Sequence, residues 1–465
     1  MLAVQLRELV GGAPVPVDEA LDLVAGFDGS LTGGLGRMGD RQEAALSAFA
    51  GALAGSPLGG PVGEAAERVV AGSIGDDRLA ALAGGRAALL GAVHDALLER
   101  LDSALGRSRS PWEERAGKPS AGTAPENLLA GARSWLHELA IAGWRGVDHD
   151  LVSAAGQTIE GLWGVPSLRR LAVLLDGLAS ELRASCPVAT MERVPERRWA
   201  DLWTRAILLA RAGSWTGGDA EPVSGRLLVL GVDVHEHGTA VQVQVHGVLE
   251  PADGGEARLV RTGVAAAKVD TIVGPAVWRL LYAYPVLLAA LAERRVLDVA
   301  DMPLTVGGDL LWREDAAQAG EPADPFTTAR VQLGEATAPS VPPLDRHPVR
   351  IAEPVLLEGY RYDDGAVSLD GTTLEIDSGR LPACGPITPS LVKASTACIG
   401  LVRRDGGRWL LQPLALQATI KKKPVEAHTG DWALGPTDPK VVKAEARAGD
   451  AVAVLRERAG RLLRK

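Results

Sequence analysis

The stretch LVLGVDVHEHGTAVQVQV, residues 228–245, decides how the C-terminal half of this chain is read. Leu228, Leu230, Val232 and Val234 alternate with other residues, and so do Val241, Val243 and Val245. Alternate residues of an extended chain share one face. A two-residue turn at His237-Gly238 places Val234 opposite Val241, Val232 opposite Val243 and Leu230 opposite Val245. All these apolar side chains then fall on one face of an antiparallel hairpin, a self-consistent register.

Reading outward toward the C-terminus, residues 257–269 continue as a third strand, and Pro275–Val296 reads as a helix kinked at Pro285. Glu314–Pro348 is acidic and rich in Pro and Ala, the composition of a loop or linker. Beyond it, Asp364-Gly365, Asp370-Gly371 and Asp405-Gly406 punctuate short apolar runs. Asp-Gly favours hairpin turns, because their central residues need positive φ. A β-meander is expected over residues 349–420, with Pro413 placing its last strand at an edge or bulge. Gly449–Lys465 reads as an amphipathic helix carrying Val452, Leu455, Leu462 and Leu463.

Toward the N-terminus the period changes from two to that of a helix. Leu79, Leu82, Leu89, Val93, Leu97, Leu101 and Leu105 line one face of a long helix, and Leu168, Leu171, Leu175, Leu178 and Leu182 line a second. Pro166 suits the first turn of the latter. A third helix begins near Pro195, with Trp199 and Trp203 one turn apart on a face that anchors it to a core. The expected fold is therefore α+β: a mostly helical N-terminal half followed by a β-rich C-terminal half of mainly antiparallel hairpins. The expected units are a helical domain over 1–212 with a loop near 106–125, a sheet-and-helix domain over 226–312, and a β-meander with a C-terminal helix over 349–465. The Gly- and Trp-containing stretch 212–225 is the expected boundary.

Composition narrows the function classes. The chain has 465 residues and a formal charge of −9, so a general affinity for nucleic acid is not expected. The charge is uneven: residues 390–465 carry 15 basic and 7 acidic groups, leaving −17 on the remainder. That basic segment suits an acidic partner, a polyanion, or the acidic rest of the same chain. Three cysteines, Cys186, Cys384 and Cys398, form neither a disulfide framework nor a C-x-x-C zinc pair, which fits a reducing cytoplasm. No signal peptide is expected. The most apolar helical stretch, residues 275–292, is interrupted by Arg279 and Pro285, so no membrane span is expected. Asn127 is the sole asparagine and arginine outnumbers lysine, a bias of GC-rich bacterial genomes.

Gly34-Leu35-Gly36-Arg37-Met38-Gly39 matches G-x-G-x-x-G, but a dinucleotide site needs a preceding strand and Val17–Ala25 reads as helix. Ser390 and Lys393 match S-x-x-K without the companion elements a Ser nucleophile of that type requires; a short helix or turn after Pro389 is the plainer reading. Asp233, His235 and His237 form D-x-H-x-H on one strand face, which offers three candidate metal ligands for a hydrolase; the plainer reading is a solvated face near a turn, beside Gln242 and Gln244. Lys421, Lys422 and Lys423 form the densest charge run, suited to an acidic partner surface or to guarding an edge strand. Trp199 and Trp203 join them as candidate interaction residues. No catalytic residue and no cofactor is expected.

The octapeptide Arg198-Trp199-Ala200-Asp201-Leu202-Trp203-Thr204-Arg205 and the stretch Trp278–Leu304 resemble an uncharacterised actinobacterial group. That group accompanies operons encoding a MoxR-type AAA+ ATPase, a von Willebrand A-domain protein and a SWIM zinc-finger protein. The chain lacks SWIM ligands and ATPase motifs, so the resemblance implies a companion subunit. The expectation is a non-enzymatic cytoplasmic adaptor or scaffold, with a protein partner such as that ATPase or its companions. A metal-dependent hydrolase around Asp233, His235 and His237 is the alternative, and nucleic-acid binding through the basic segment is a third.

Overall fold

A computed structural model describes residues 1–12, 15–112, 125–212 and 220–462. Most of the expected loop near 106–125, the boundary residues 213–219 and Leu463 lie outside the described residues. The fold is α+β: half of it is helix, concentrated in the N-terminal half, and a quarter is strand, mostly antiparallel.

The three expected helices form, at Asp76–Leu105, Arg169–Ser185 and Glu196–Ala212. The 30-residue helix Asp76–Leu105 ends at Gly106, whose φ of 65° closes it in the left-handed conformation. Length and composition alone would let this helix cross a membrane, yet 56% of that apolar window is buried inside the protein. Its first half enters the helical core with Leu79, Leu82 and Ala83; its second half, from Val93 to Ala104, packs on the sheet that carries Leu357, Val402 and Leu411. The helical layer and the C-terminal sheet thus share one rod.

The first sheet contains β1 (Glu221–Glu236), β2 (Ala240–Pro251), β3 (Arg258–Ala267), β4 (Arg295–Leu304), β5 (Asp309–Leu310) and β6 (Ala317–Pro322). Its order is β1-β2-β3-β5-β4-β6, and β4 also pairs with β1, so five strands close into a barrel with β6 outside. β3 and β5 run parallel, and the helical segment Gly274–Glu293 joins β3 to β4. This is the connectivity of a Greek-key barrel of the OB type. Long β1 serves two neighbours, pairing with β4 through residues 221–227 and with β2 through residues 225–236. Bulges between Val223 and Gly225 and between Val229 and Gly231 bend it around the barrel.

The hairpin register differs from expectation. His237 N donates to Ala240 O at 2.8 Å, so the turn residues are Gly238-Thr239. Val234 therefore faces Val243, and Val232 faces Val245. The slip is two residues, an even number, so Val232, Val234, Val241, Val243 and Val245 keep one face, but the bulge turns Leu228 and Leu230 to the opposite face. Leu230 is the bulged residue and has no partner in the ladder. Next to it, a Cβ on Gly231 would lie 2.6 Å from the Leu414 Cβ of the second sheet. Gly231→Ala is expected to cost about 1–3 kcal/mol by overpacking, read from urea unfolding.

Two further expectations need correction. Residues 275–296 are not one kinked helix: a 3-10 helix, Gly274–Leu281, is followed by a new α-helix, Pro285–Glu293, with Pro285 in its first turn. Glu314–Pro348 is not a linker, since it contains β6 and the helix Pro325–Gln332. Phe326, Ala329 and Leu333 recur at helical spacing and are buried with Leu230 and Val248 of the barrel and Ile399 of the second sheet. Pro and Ala in this segment cap and pack a helix instead of extending a chain.

The second sheet contains β7 (Ala352–Glu358), β8 (Arg361–Asp363), β9 (Ala366–Leu369), β10 (Thr372–Ile376), β11 (Ser395–Asp405), β12 (Arg408–Ile420) and β13 (Lys423–His428). β8–β9–β10 and β11–β12–β13 each meander antiparallel as expected, but the two runs join through the parallel pair β10–β12, and β7 pairs with β11 across the intervening strands. Asp364-Gly365 and Asp370-Gly371 turn with positive φ as expected, whereas the third turn uses Gly406-Gly407 and leaves Asp405 in its strand. Pro413 sits in a central strand beside a bulge. There β12 leaves β10, paired at residues 410–411, and takes β13, paired at residues 415–420, so the missing N–H costs no ladder bond. The C-terminal residues form two helices, Pro439–Ala448 and Ala451–Leu462, the second burying Val452.

Candidate functional site

Asp233 lies on the outer face of the barrel, where β1 meets the second sheet. Expected on a solvated face, it is 1% exposed. The second sheet covers it with Arg403 of β11 and Gln412 of β12. Arg403 Nη2 donates to Asp233 Oδ2 at 2.6 Å, and Gln412 Nε2 donates to Oδ1 at 2.7 Å. His235 Nε2 lies 2.7 Å from Oδ2. Arg403 Nε also bonds Gln412 Oε1, which closes the ring of contacts. Burial alone would raise the Asp233 pKa; the hydrogen bond from His235, the Arg403 charge and Gln412 outweigh it and hold the carboxyl far below its usual range.

A cavity of about 270 Å³ opens beside this cluster, lined in part by His235, Glu236, Arg380 and Pro382. His235 is the group that reaches it, with its side chain 32% exposed. An Asp–His pair fixes an imidazole tautomer, the first requirement of a general base. The rest of a reactive site is not assembled. Cys384, the nearest thiol in chain position to the wall residues 379–383, is buried and its pKa is pushed up to about 12, chiefly by that burial. Among the described residues no group of three His, Cys, Asp or Glu side chains could hold a metal ion. Of the three candidate ligands, Asp233 spends both oxygens on protein donors, and His237 is exposed at the hairpin turn. The D-x-H-x-H motif is therefore a clamp between sheets.

His246 lies deeper in the same seam, opposite Gly231, with its Nε2 unpartnered. Burial pushes its pKa down to about 4, against the pull of Asp233 and with the help of Arg261 and Arg403. The folded protein thus holds it neutral, whereas the unfolded chain takes up a proton near pH 6.5. Stability falls as the pH drops through the interval from about 6.5 to 4, by roughly 3 kcal/mol. Asp201 and Glu426 act in the opposite sense to a raised group. Their folded pKa values are each about 2, so their stabilisation persists until the pH falls below the ordinary carboxylate range and is lost toward pH 2. Urea midpoints measured against pH should show two steps, and His246→Leu should shrink the upper one, to which buried His347, its pKa also lowered by burial, contributes the rest.

The other candidates sit as follows. Trp199 and Trp203 are 1% and 0% exposed, which removes them as partner contacts. Trp203 Nε1 donates to Leu136 O at 2.9 Å and Trp199 Nε1 to Glu181 at 3.1 Å, while Trp199 packs edge-on against Trp144. Their one-turn spacing is that of a core face, as the helix reading implied. Lys421 and Lys422 form the turn between β12 and β13, with φ of 51° and 67°, and Lys423 opens the edge strand; all three are exposed. The G-x-G-x-x-G run follows a helix, Val15–Gly33, and itself contains a 3-10 turn, so no strand presents it to a pyrophosphate. Ser390 and Lys393 lie on the short helix Pro389–Ala394, both exposed.

Sequence reasoning missed Arg403, Gln412 and Arg380. Of these only Arg403 had a signal, the basic excess of residues 390–465, part of which does dock on acidic residues earlier in the chain, Arg403 on Asp233 and Arg408 on Glu375; neutral Gln412 and Arg380, which precedes that segment, had none.

Barrels of this type take oligonucleotides or oligosaccharides on the outer face of the second and third strands. Here the half bearing His246, Val248 and Leu259 is buried. The open half presents Gln242, Gln244, Gly263 and Ala265 and no aromatic side chain, and the basic group on the same strand face, Arg261, is ion-paired with Asp309. Fold and site define an α+β protein built on a five-stranded barrel, with a helical layer and a second sheet folded onto the face that related barrels leave open. No family model matches the chain, and no curated protein or solved structure matches it either.

Proposed function

We propose that the chain is a non-catalytic adaptor or scaffold of a bacterial cytoplasmic assembly, and that it engages an acidic protein surface through the tip of the β12–β13 hairpin. The observation that carries this reading is the turn itself. Two lysines occupy both positive-φ positions, where Asn-Gly is the low-energy choice. Holding a non-glycine residue there costs about 1–2 kcal/mol each. Strain retained at an exposed, doubly charged tip points to a role for the charge. Exposed Ile420 beside it supplies an apolar contact. The saturation of Asp233 supports the non-catalytic half of the reading. The partner class follows the sequence resemblance, a MoxR-type ATPase or one of its operon companions.

The test is copurification from the native host, followed by reconstitution from purified components. Lys421→Asn with Lys422→Gly should stabilise the isolated chain by about 1 kcal/mol while abolishing the stoichiometric complex. A complex that survives in this variant, or a chain that copurifies alone, would sink the reading. The hydrolase alternative is weakened by the commitment of Asp233 to Arg403 and Gln412. Nucleic-acid binding is weakened because Arg404 and Arg456 stack on Trp409 and Tyr282, while Arg403 and Arg408 are ion-paired.

A further inference from the structure

The far half of β1 outruns one of its neighbours. Pairing with β4 stops at Leu227, opposite Leu297, whereas pairing with β2 runs on to Glu236. Beyond Leu227, one edge of β1 therefore has no strand beside it. The hairpin decides which residues face that edge. His237 N donates to Ala240 O, so His237, His235 and Asp233 turn their N–H and C=O toward β2, while Val232, Val234 and Glu236 turn theirs away. Val232 shows the alternation, since its C=O accepts the Thr429 hydroxyl at 2.5 Å from outside the barrel. Among the described residues, nothing bonds the backbone N–H or C=O of Val234 or Glu236.

The cavity of about 270 Å³ opens along this edge. Val234 and Glu236 border it, and residues 379–383 form its far wall without a backbone hydrogen bond to β1. A strand edge left without partners is a template for an added strand. Arg380 stands on the far wall. Its Nε is 3.0 Å from Asp377 Oδ2, and neither of its Nη nitrogens makes a hydrogen bond. That open end of the guanidinium matches the two oxygens of a carboxylate. Glu236 is half-buried, and its carboxylate makes no hydrogen bond or ion pair, with Arg380 or with any other described residue. Leu381, Pro382 and Ala383 add an apolar side to the groove.

We propose that this groove takes the free C-terminus of an extended peptide chain, which adds to β1 as a short strand. The peptide backbone bonds Val234 and Glu236, and the terminal carboxylate bonds the Nη pair of Arg380. Val234 to Glu236 is about 7 Å of edge, the rise of two residues, so the site reads only the last two or three residues of its partner. Glu236 favours a basic side chain among them, and Leu381 and Pro382 favour an apolar terminal one. The groove uses no residue of the β12–β13 tip, so the inference does not rest on the lysine turn.

The experiment is isothermal titration of the full chain with the peptide acetyl-AKAV in three forms: the free acid, the C-terminal amide, and the free acid N-methylated at its last two peptide bonds. The expected result is one free-acid peptide per chain, an amide weaker by about tenfold, or about 1.4 kcal/mol, and no detectable binding of the N-methylated form. Arg380→Gln should bind acid and amide alike. Glu236→Pro removes an N–H that the β2 ladder does not use, so it should abolish binding while Tm stays within a few degrees. Glu236→Gln should keep binding and lose only the preference for acetyl-AKAV over acetyl-AAAV. No binding of the free acid, equal binding of acid and amide to the unsubstituted chain, or full affinity of the N-methylated peptide would overturn the proposal, the last whether or not Glu236→Pro folds.

Discussion

Arg403→Met is expected to lower stability by about 3–5 kcal/mol, because it strands a carboxylate in a buried seam. Asp233 is 1% exposed and Arg403 is 9% exposed, so water cannot replace the lost guanidinium. The remaining donors, Gln412 and His235, hydrogen-bond the carboxylate, yet only a protonated His235 would balance its charge. Asp233→Asn in the Arg403→Met background removes the stranded charge and should recover a large part of the loss. The double-mutant cycle, read by urea unfolding at pH 7, then gives a coupling of about 1 kcal/mol or more. Equal and additive losses from the two single variants would show that the sheets are held by the surrounding apolar contacts alone. Repeating the unfolding of the unsubstituted chain with a chelator present tests the clamp reading of D-x-H-x-H, since a metal site would lose stability and the clamp would not.

Trp203→Ala is expected to cost about 3–5 kcal/mol, the range for emptying a large, fully buried aromatic site. Trp203 is 0% exposed and anchors the helix Glu196–Ala212 to Leu136 through its indole N–H. The cavity falls inside the helical core shared by Trp135, Trp144 and Trp199, which has many fixed neighbours and little freedom to collapse. The measurement is the same urea unfolding series, with Trp203→Phe expected to lose less because it keeps most of the volume. A loss below 1 kcal/mol for the alanine variant would place Trp203 outside the cooperative core. Both variants act on folding, so neither reports on partner binding, which rests on the lysine turn.

The candidate site was only partly legible in the chain. Asp233, His235 and His237 stood out through local spacing, but their chemistry depended on what covers them. Arg403 and Gln412 approach Asp233 across 170 and 179 residues, and no local pattern marks such a meeting. The tryptophans show the converse. Their i,i+4 spacing indicated a buried face, and the alternative of a partner contact failed because the helical layer fills the space over them. Glu314–Pro348 misled because its composition suits a linker, while the spacing of Phe326, Ala329 and Leu333 suits a helix.

What the sequence determined by itself is everything governed by neighbours a few residues apart. Periodicity defined the helices from Asp76 and from Glu196, the alternating faces of β1 and β2, and the turns at Asp364-Gly365 and Asp370-Gly371. The two-residue slip left Val232, Val234, Val241, Val243 and Val245 on one face, because side-chain direction depends on parity, whereas the bulge at Leu230 turned Leu228 and Leu230 to the other. The tertiary structure alone decided the closure of five strands into a barrel, the parallel pairing of β10 with β12, and the second sheet lying over Asp233. These depend on contacts between distant segments, whose energy comes from burial and charge pairing after the chain has folded back on itself. The same holds for Asp233: whether a charge is neutralised is a property of the assembled surroundings, not of the residue that bears it.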